Sequence, residues 1–395
     1  MRLESIAIFP LKIPFVANFD HVLKSRNSSD SILFKIKLRN GSIGWGETLV
    51  RDYVTGETVE IVLSNIQNLP KEIWEMEWTL EKEASSPDQK MRKVTENLNT
   101  ILERIPLRDG IKAWNGLRCG LELALLDALL RDEELSLTDV LPPILKEVVY
   151  SGVITSGSLD GALRVARQMK QIGIKDYKLK ISGQSDLNTV REVRALIGPS
   201  ASLRLDANGA FELNEAIVFC RDIESFNISA IEEPLRKSGV GLFAELQKTT
   251  LIPVMPDESL VTLQDAQEFI LAGGSRMFNV RLAKCGGIAP CLDFVNIARK
   301  NNIAFQLGSL VGESGILSAV GRIFAAFLGD CSFVEGSYGT LLLQEDIVSQ
   351  SVRFGYGGKA PVLKAPGISV DVVEEKVLKF ACSDKVVYFA SPFKD

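Results

Sequence analysis

The chain is 395 residues long, 46% hydrophobic and 24% charged, and its 45 Lys plus Arg against 50 Asp plus Glu leave a net charge of −5. That balance provides no basic footprint for nucleic acid or for an anionic membrane surface, so a small molecule is the expected partner. The single histidine, His21, excludes two-histidine metal sites and histidine-centred hydrolase triads, and any catalysis must fall to carboxylates and lysines.

Taken in chain order, residues 3 to 14 and 31 to 48 read as strands. In the second, Ile32, Phe34, Ile36 and Leu38 alternate before an Asn40-Gly41 turn, which is a hairpin pattern. The polar, aperiodic stretch from 16 to 30 predicts a mobile loop. Helical periodicity follows at about 57 to 68, 87 to 105 and 111 to 131, the last containing LELALLDALL, so residues 1 to 135 are expected to form an α+β domain. No run of 18 apolar residues and no signal-type start occur. Six cysteines (Cys119, Cys220, Cys285, Cys291, Cys331, Cys382) without C-x-x-C pairing predict free thiols in a cytoplasmic protein.

From about residue 148 the texture changes to eight β-rich runs, at 148 to 154, 177 to 181, 202 to 208, 228 to 234, 252 to 258, 276 to 284, 303 to 309 and 332 to 336, separated by helical stretches. Starts about 25 residues apart match one strand, one helix and two short loops. Right-handed crossovers between parallel strands then close most simply into a β/α barrel over 136 to 340. An open doubly wound sheet is the alternative, but no G-x-G-x-x-G follows the first strand. The segment from 341 to 395, rich in Gly and Pro at first, is expected to add a strand pair and return to the N-terminal domain.

In such a barrel the chemistry collects at the C-terminal strand ends. Lys178 and Lys180 stand two apart on the second run and so share a face, with Tyr177, Leu179 and Ile181 on the other. Two neighbouring ammonium groups disfavour each other's charge, which is expected to lower a lysine pKa toward that of a useful base; solvated surface lysines are the alternative. Asp206, Glu232 and Asp257 end three successive runs at spacings of 26 and 25 residues. Three converging carboxylates repel unless a cation joins them, and oxygen-only ligation points to Mg2+ or Mn2+, against the alternative of helix N-caps. Glu233 and Glu258, one residue out of phase, are expected to support or cap. Arg281 lies on the sixth run and Glu335 on the eighth.

The motifs KLK at 178 to 180, LDAN at 205 to 208, EEP at 232 to 234, PDES at 256 to 259 and KCGG at 284 to 287, with GWGE at 44 to 47, stand in the order and spacing of a known family. Over essentially its whole length the chain resembles the enolase superfamily, in its mandelate racemase and muconate-lactonising-enzyme subgroup. The resemblance implies an α/β fold: a modified (β/α)7β TIM-like barrel with an α+β capping domain built from the N-terminal region and the C-terminal tail. It implies Asp206, Glu232 and Asp257 as Mg2+ ligands, Lys180 as the acid/base group and Lys178 as its electrostatic partner. The implied chemistry is removal of the α-proton of a small-molecule carboxylate through an enediolate, by an isomerase or lyase.

Arg281 departs from the pattern, because the subgroup's sixth strand usually carries a second catalytic lysine in a K-L-x-K-C-G-G context. Arginine is a poor proton acceptor at neutral pH. One-base cycloisomerisation or β-elimination by Lys180 is therefore the expected reaction, with Arg281 holding an anionic group or stabilising the enediolate. The alternatives are an amino-acid or dipeptide racemase or epimerase and, from another class, a catalytically impaired metal- or acid-binding homologue. Lys284 can replace the missing lysine only if the strand ends early. The resemblance further implies that loops near 16 to 30 and 50 to 58 close over the barrel mouth, making His21, Arg26, Arg51 and Tyr53 candidate substrate contacts. Asn208, Glu258, Glu313 and Glu335 are further candidates around the site, and a homo-oligomer is expected.

Overall fold

The computed structural model describes residues 1–20, 25–155, 157–236, 239–337 and 339–393. The N-terminal region contains β1 (Leu3–Pro10), β2 (Pro14–Asp20), β3 (Ser25–Ser28), β4 (Ser31–Leu38) and β5 (Ile43–Leu49), then α1 (Val59–Gln67), α2 (Pro87–Leu102), α3 (Asn115–Asp132) and α4 (Leu137–Val140). The loop expected at 16 to 30 is a correction: β2 and β3 pair antiparallel, with Phe19 opposite Arg26. A two-stranded ribbon is held by its backbone ladder and needs no apolar alternation, so hydrophobic patterning does not announce it.

The central region alternates strand and helix: β6 (Glu147–Val149), β7 (Gly152–Ile154), α5 (Leu159–Gln171), β8 (Asp176–Lys180), α6 (Leu187–Ile197), β9 (Ser202–Asp206), α7 (Leu213–Asp222), β10 (Ala230–Glu232), α8 (Val240–Thr249), β11 (Val254–Met255), α9 (Leu263–Ala272), β12 (Met277–Val280), α10 (Leu282–Cys285), α11 (Ile288–Lys300), β13 (Ala304–Leu307) and α12 (Gly315–Leu328). Parallel ladders run in the order β7-β8-β9-β10-β11, and β12 pairs parallel with β13. The expected first run is split, its second half β7 being the barrel strand, and the eighth run contributes only a parallel bridge between Leu307 and Val334. The tail holds α13 (Gly339–Leu342), β14 (Lys359–Pro361), α14 (Glu374–Phe380) and β15 (Val387–Ala390). β14 pairs with β6, and β15 completes an antiparallel sheet of order β15-β1-β4-β5. The fold is thus α/β, a barrel-like parallel domain with an α+β cap.

Helix α3 joins the two parts. It is buried on every side from Asn115 to Leu130, because the cap sheet covers one flank and the barrel helices the other. Gly46 permits the close approach to β5: a Cβ there would lie 2.6 Å from the Ala124 backbone nitrogen. Its buried carboxylates are spent on helix starts and turns. Glu122 accepts the N–H groups of Ile288 and Ala289 at the head of α11, and Asp127 accepts those of Trp45 (2.8 Å) and Ile368 (3.0 Å). In the same way Glu47 on β5 accepts from Ser314 N (2.9 Å), Leu317 N (3.1 Å) and Ser314 Oγ (2.7 Å) at the head of α12. Glu57 accepts from Gly116 N (2.7 Å) and Leu117 N (3.1 Å) at the head of α3 itself. Glu47, Glu57 and Glu122 each satisfy amide donors that a helix start leaves without an intrahelical partner, whereas Asp127 ties β5 to the tail. Together Glu47 and Glu122 clamp the cap onto the barrel beside the mouth. All six cysteines are free, four of them buried, and among the described residues no helix is long and apolar enough to cross a membrane.

Candidate active site

The parallel register sets Lys180 beside Asp206 and Asp206 beside Glu232, three neighbouring strands contributing one charged group each at the same level. Lys178 and Lys180 follow the strand period into the barrel, and both are buried, which disposes of the surface-lysine alternative. Lys180 Nζ lies 3.0 Å from Asp206 Oδ2 and 2.7 Å from Asn208 Oδ1. Lys178 Nζ lies 3.0 Å from Asp206 Oδ2, 2.9 Å from Glu232 Oε1 and 3.3 Å from Glu335 Oε1.

For Lys178 this reverses the expected pKa direction. Burial presses its pKa down, but the three carboxylates outweigh both burial and the repulsion of Arg281, and the pKa rises above the ordinary 10.5. It is a fixed ammonium, because all charges within reach count and not only the adjacent lysine. Burial also pushes Asp206 up, yet Lys178 and Lys180 overcome it and hold that carboxyl well below its usual range. Burial raises Glu232 to about 7, with Lys178 opposing and Asp206, Glu335 and Asp257 adding to the rise.

Glu232 is the hub of the barrel floor. Its Oε1 accepts from Lys178, from Asn279 Nδ2 (2.9 Å) and from Arg281 Nη2 (3.1 Å), and its Oε2 accepts from Gln306 Nε2 (3.3 Å). Beneath it Arg204, fully buried, donates to Gln306, lies 3.3 Å from Glu335 Oε1 and covers the ring of Phe333 at 4.2 Å. Sequence reasoning missed Asn279, Gln306 and Arg204. For two of them the strand period held the signal, since Arg204 stands two before Asp206 and Asn279 two before Arg281.

Arg281 follows the end of β12, and its Nη2 donates to both Glu232 Oε1 and Asp257 Oδ2. Burial opposes its charge, but Asp257, Glu232, Glu258 and Glu335 raise its pKa well above the ordinary guanidinium value, so it is no proton acceptor. The strand does end early, at Val280, and Lys284 falls in the turn of α10. Its ammonium is nonetheless withdrawn from the cavity, fully buried against Asp257 O (2.8 Å), Asp257 Oδ1 (3.1 Å) and Asn279 O (2.7 Å). Lys284 therefore positions Asp257 and does not replace the missing lysine. Burial raises and Arg281, Lys284 and Lys178 lower the Asp257 pKa, with a net depression. Glu233 supports the same loop, its carboxylate accepting from Asp257 N (2.7 Å) and Ser259 N (3.2 Å).

Lys178, Lys180, Asp206, Asn208, Arg281 and Glu335 line a cavity of about 240 Å3 roofed by the cap, with Glu232 and Asp257 behind that wall. Arg26, Arg51 and Tyr53 line its cap end, where Asp30 is shared by Arg26 and Arg51. His21 lies outside the described residues. Glu258 and Glu313 also line the cavity. Glu258 Oε1 takes Asn208 Nδ2 at 3.2 Å, whereas its Oε2 is buried without a partner, and burial with Asp257 and Glu233 nearby raises its pKa well above 4.5. Burial raises Glu313 to about 8, against the Leu310 N–H it accepts at 2.6 Å.

Among the described residues no three ligand side chains close on one point as a preformed metal cluster. Lys178 and Arg281 instead bridge the carboxylates of Asp206, Glu232 and Asp257. The donors still fit a hard divalent ion: oxygen only, from three successive strand ends joined pairwise through single cationic nitrogens, with the orphaned Glu258 Oε2 close by.

A family profile described as enolase C-terminal domain-like matches residues 162–376. The chain is 22% identical to the N-succinyl-L-Arg/Lys racemase of Bacillus cereus over 327 residues, covering 81% of this chain and 83% of that one. A dipeptide epimerase from Cytophaga hutchinsonii, crystallised with Mg and the dipeptide D-Ala-L-Val, superposes with a TM-score of 0.83 at 20% identity over 98% of this chain and 100% of its own. Muconate lactonizing enzyme from Pseudomonas fluorescens, complexed with muconolactone, gives a TM-score of 0.79 at 23% identity over 96% and 99% of the two chains.

Proposed function

The chain belongs to the enolase superfamily, and from that premise we propose that it removes the α-proton of a small carboxylate substrate with Lys180 as the acid/base group. The observation that carries this reading is the Lys180 Nζ, buried at the cavity wall between Asp206 and Asn208 and beside the permanently charged Lys178. We assign Asp206, Glu232 and Asp257 as holders of Mg2+, the ion that members of this superfamily use, and the barrel and cap to residues 136–340 and 1–135 with 341–395. When bound, the ion supplies positive charge beside the substrate carboxylate and makes its α-proton more acidic. In its neutral amine form Lys180 takes that proton on the Nζ lone pair and holds it there as the ammonium, while Lys178 keeps a fixed charge at the same carboxylate cluster and the cap excludes water.

The relatives support racemisation or epimerisation, of an acylated amino acid or a dipeptide, better than the cycloisomerisation or β-elimination expected from the sequence. We take that as the leading outcome. A second reading, one-base chemistry on the Lys180 face, is favoured by one observation: Arg281 stands on the wall four barrel strands away and is held protonated. Incubation of N-succinyl amino acids, dipeptides, acid sugars and muconate-like diacids with Mg2+ in D2O tests both. Deuterium entering the α-carbon with inversion supports racemisation or epimerisation; elimination, cyclisation or exchange with retention supports one-base chemistry. No exchange or turnover with any carbon acid sinks the proposal.

A further inference from the structure

We propose that Arg281 and the divalent ion are mutually exclusive partners of Glu232 and Asp257, so that metal loading turns the guanidinium out toward the cavity. This deepens the function proposed above and rests on its assignment of Asp206, Glu232 and Asp257.

The allocation of carboxylate oxygens carries the inference. Asp257 has two: Oδ1 is held by Lys284 Nζ at 3.1 Å, and Oδ2 by Arg281 Nη2. A carboxylate oxygen can serve more than one partner, as Glu232 Oε1 does for three donors, but a cation that joins Asp257 to Glu232 would share an oxygen with the charged group of one of these two side chains and be repelled by it. Lys284 is the immovable one, with no exposed surface and three acceptors spread over Asp257 and Asn279. Arg281 is the movable one. It lines the cavity, its Nε is buried without a partner, and a single nitrogen makes both of its carboxylate contacts, well short of a bidentate fork. Its stem lies against the bare backbone of Gly308, where a Cβ would stand 3.0 Å from Arg281 Cγ and Nε. A guanidinium and a divalent ion on the same two oxygens repel, and with water excluded that repulsion is weakly screened.

Without metal, Arg281 therefore serves as the internal counter-cation that lets buried carboxylates coexist. With metal, it is freed beside the substrate cavity, which sets an order of events: ion first, then an anionic substrate group on the released guanidinium.

The test uses metal alone. Mg2+ is titrated calorimetrically, without substrate, into the wild type and Arg281→Met, and wild-type crystals are solved with and without Mn2+. Removing the competitor should tighten Mg2+ binding about tenfold or more, because the ion no longer displaces a buried ion pair. In the Mn2+ crystal Arg281 Nη2 should withdraw beyond about 4 Å, the limit of an ion pair, from both carboxylates. Metal bound with Nη2 still on both carboxylates, or affinities equal within twofold, overturns the inference and leaves the metal assignment standing. Failure of both proteins to bind either ion overturns the assignment itself. Should Arg281→Met not fold, the two wild-type crystals decide the matter.

Discussion

Lys180→Met keeps the length of the side chain and removes its amino group, which makes it the sharpest test of the proposed base. Its Nζ makes two contacts, at 3.0 Å to Asp206 and 2.7 Å to Asn208. Stranding a buried charge costs about 3–5 kcal/mol. Asp206 is not stranded, because Lys178 remains 3.0 Å away, so the stability loss should be about 1–2 kcal/mol, the net worth of the lost hydrogen bonds. Chemistry should suffer far more: loss of a positioned acid/base group costs about 10²–10⁴-fold, or roughly 3–5 kcal/mol of barrier. The assay is α-proton exchange in D2O, followed by proton NMR on the substrate that the screen identifies, with urea unfolding and Mg2+ calorimetry run in parallel. A folded, Mg2+-binding variant that exchanges within tenfold of wild type would mean that the base is elsewhere.

Asp206→Asn should weaken Mg2+ affinity at least about tenfold by calorimetry, as loss of one charged oxygen ligand implies, and an unchanged affinity removes Asp206 from the set. Glu47→Ala leaves the Ser314 and Leu317 donors at the head of α12 without their acceptor and should cost about 3 kcal/mol in urea unfolding; a loss below about 0.5 kcal/mol would deny its clamping role. Burial pushes Glu57 up to about 7 from 4.5. Its protonation favours the folded state, so its contribution is complete below about pH 4.5 and is lost as pH rises through about 7. Glu57→Gln should flatten that decline, and urea midpoints at a series of pH values that fall as steeply as in wild type would contradict it. Gly46→Ala drives a methyl into the Ala124 backbone and should cost about 3 kcal/mol or prevent folding, readable as lost soluble yield or a lowered melting temperature.

Much of this architecture is legible in one sequence because strands and helices have fixed periods. The two-residue period of a strand is enough to put Lys178 and Lys180 on one face, and spacings near 25 residues count out strand-helix units, so Asp206, Glu232 and Asp257 fall on adjacent strand ends. The β2 and β3 ribbon left no such mark, since backbone pairing holds it. The eighth strand reduced to the Val334 bridge likewise could not be foreseen, because pairing length depends on the neighbouring strand.

What the sequence by itself determined is the kind of chemistry available, with one histidine, strand-end lysines and carboxylates, and an arginine where the resembling family has a lysine. Only the tertiary structure decided the charge balance. It made Lys178 a fixed ammonium, tied Lys284 to the back of Asp257, and gathered Asn279, Gln306 and Arg204 around Glu232 from three other strands. Local periodicity says which way a side chain points, whereas burial and Coulomb energy depend on every group within a few ångströms, and most of those are distant in the chain.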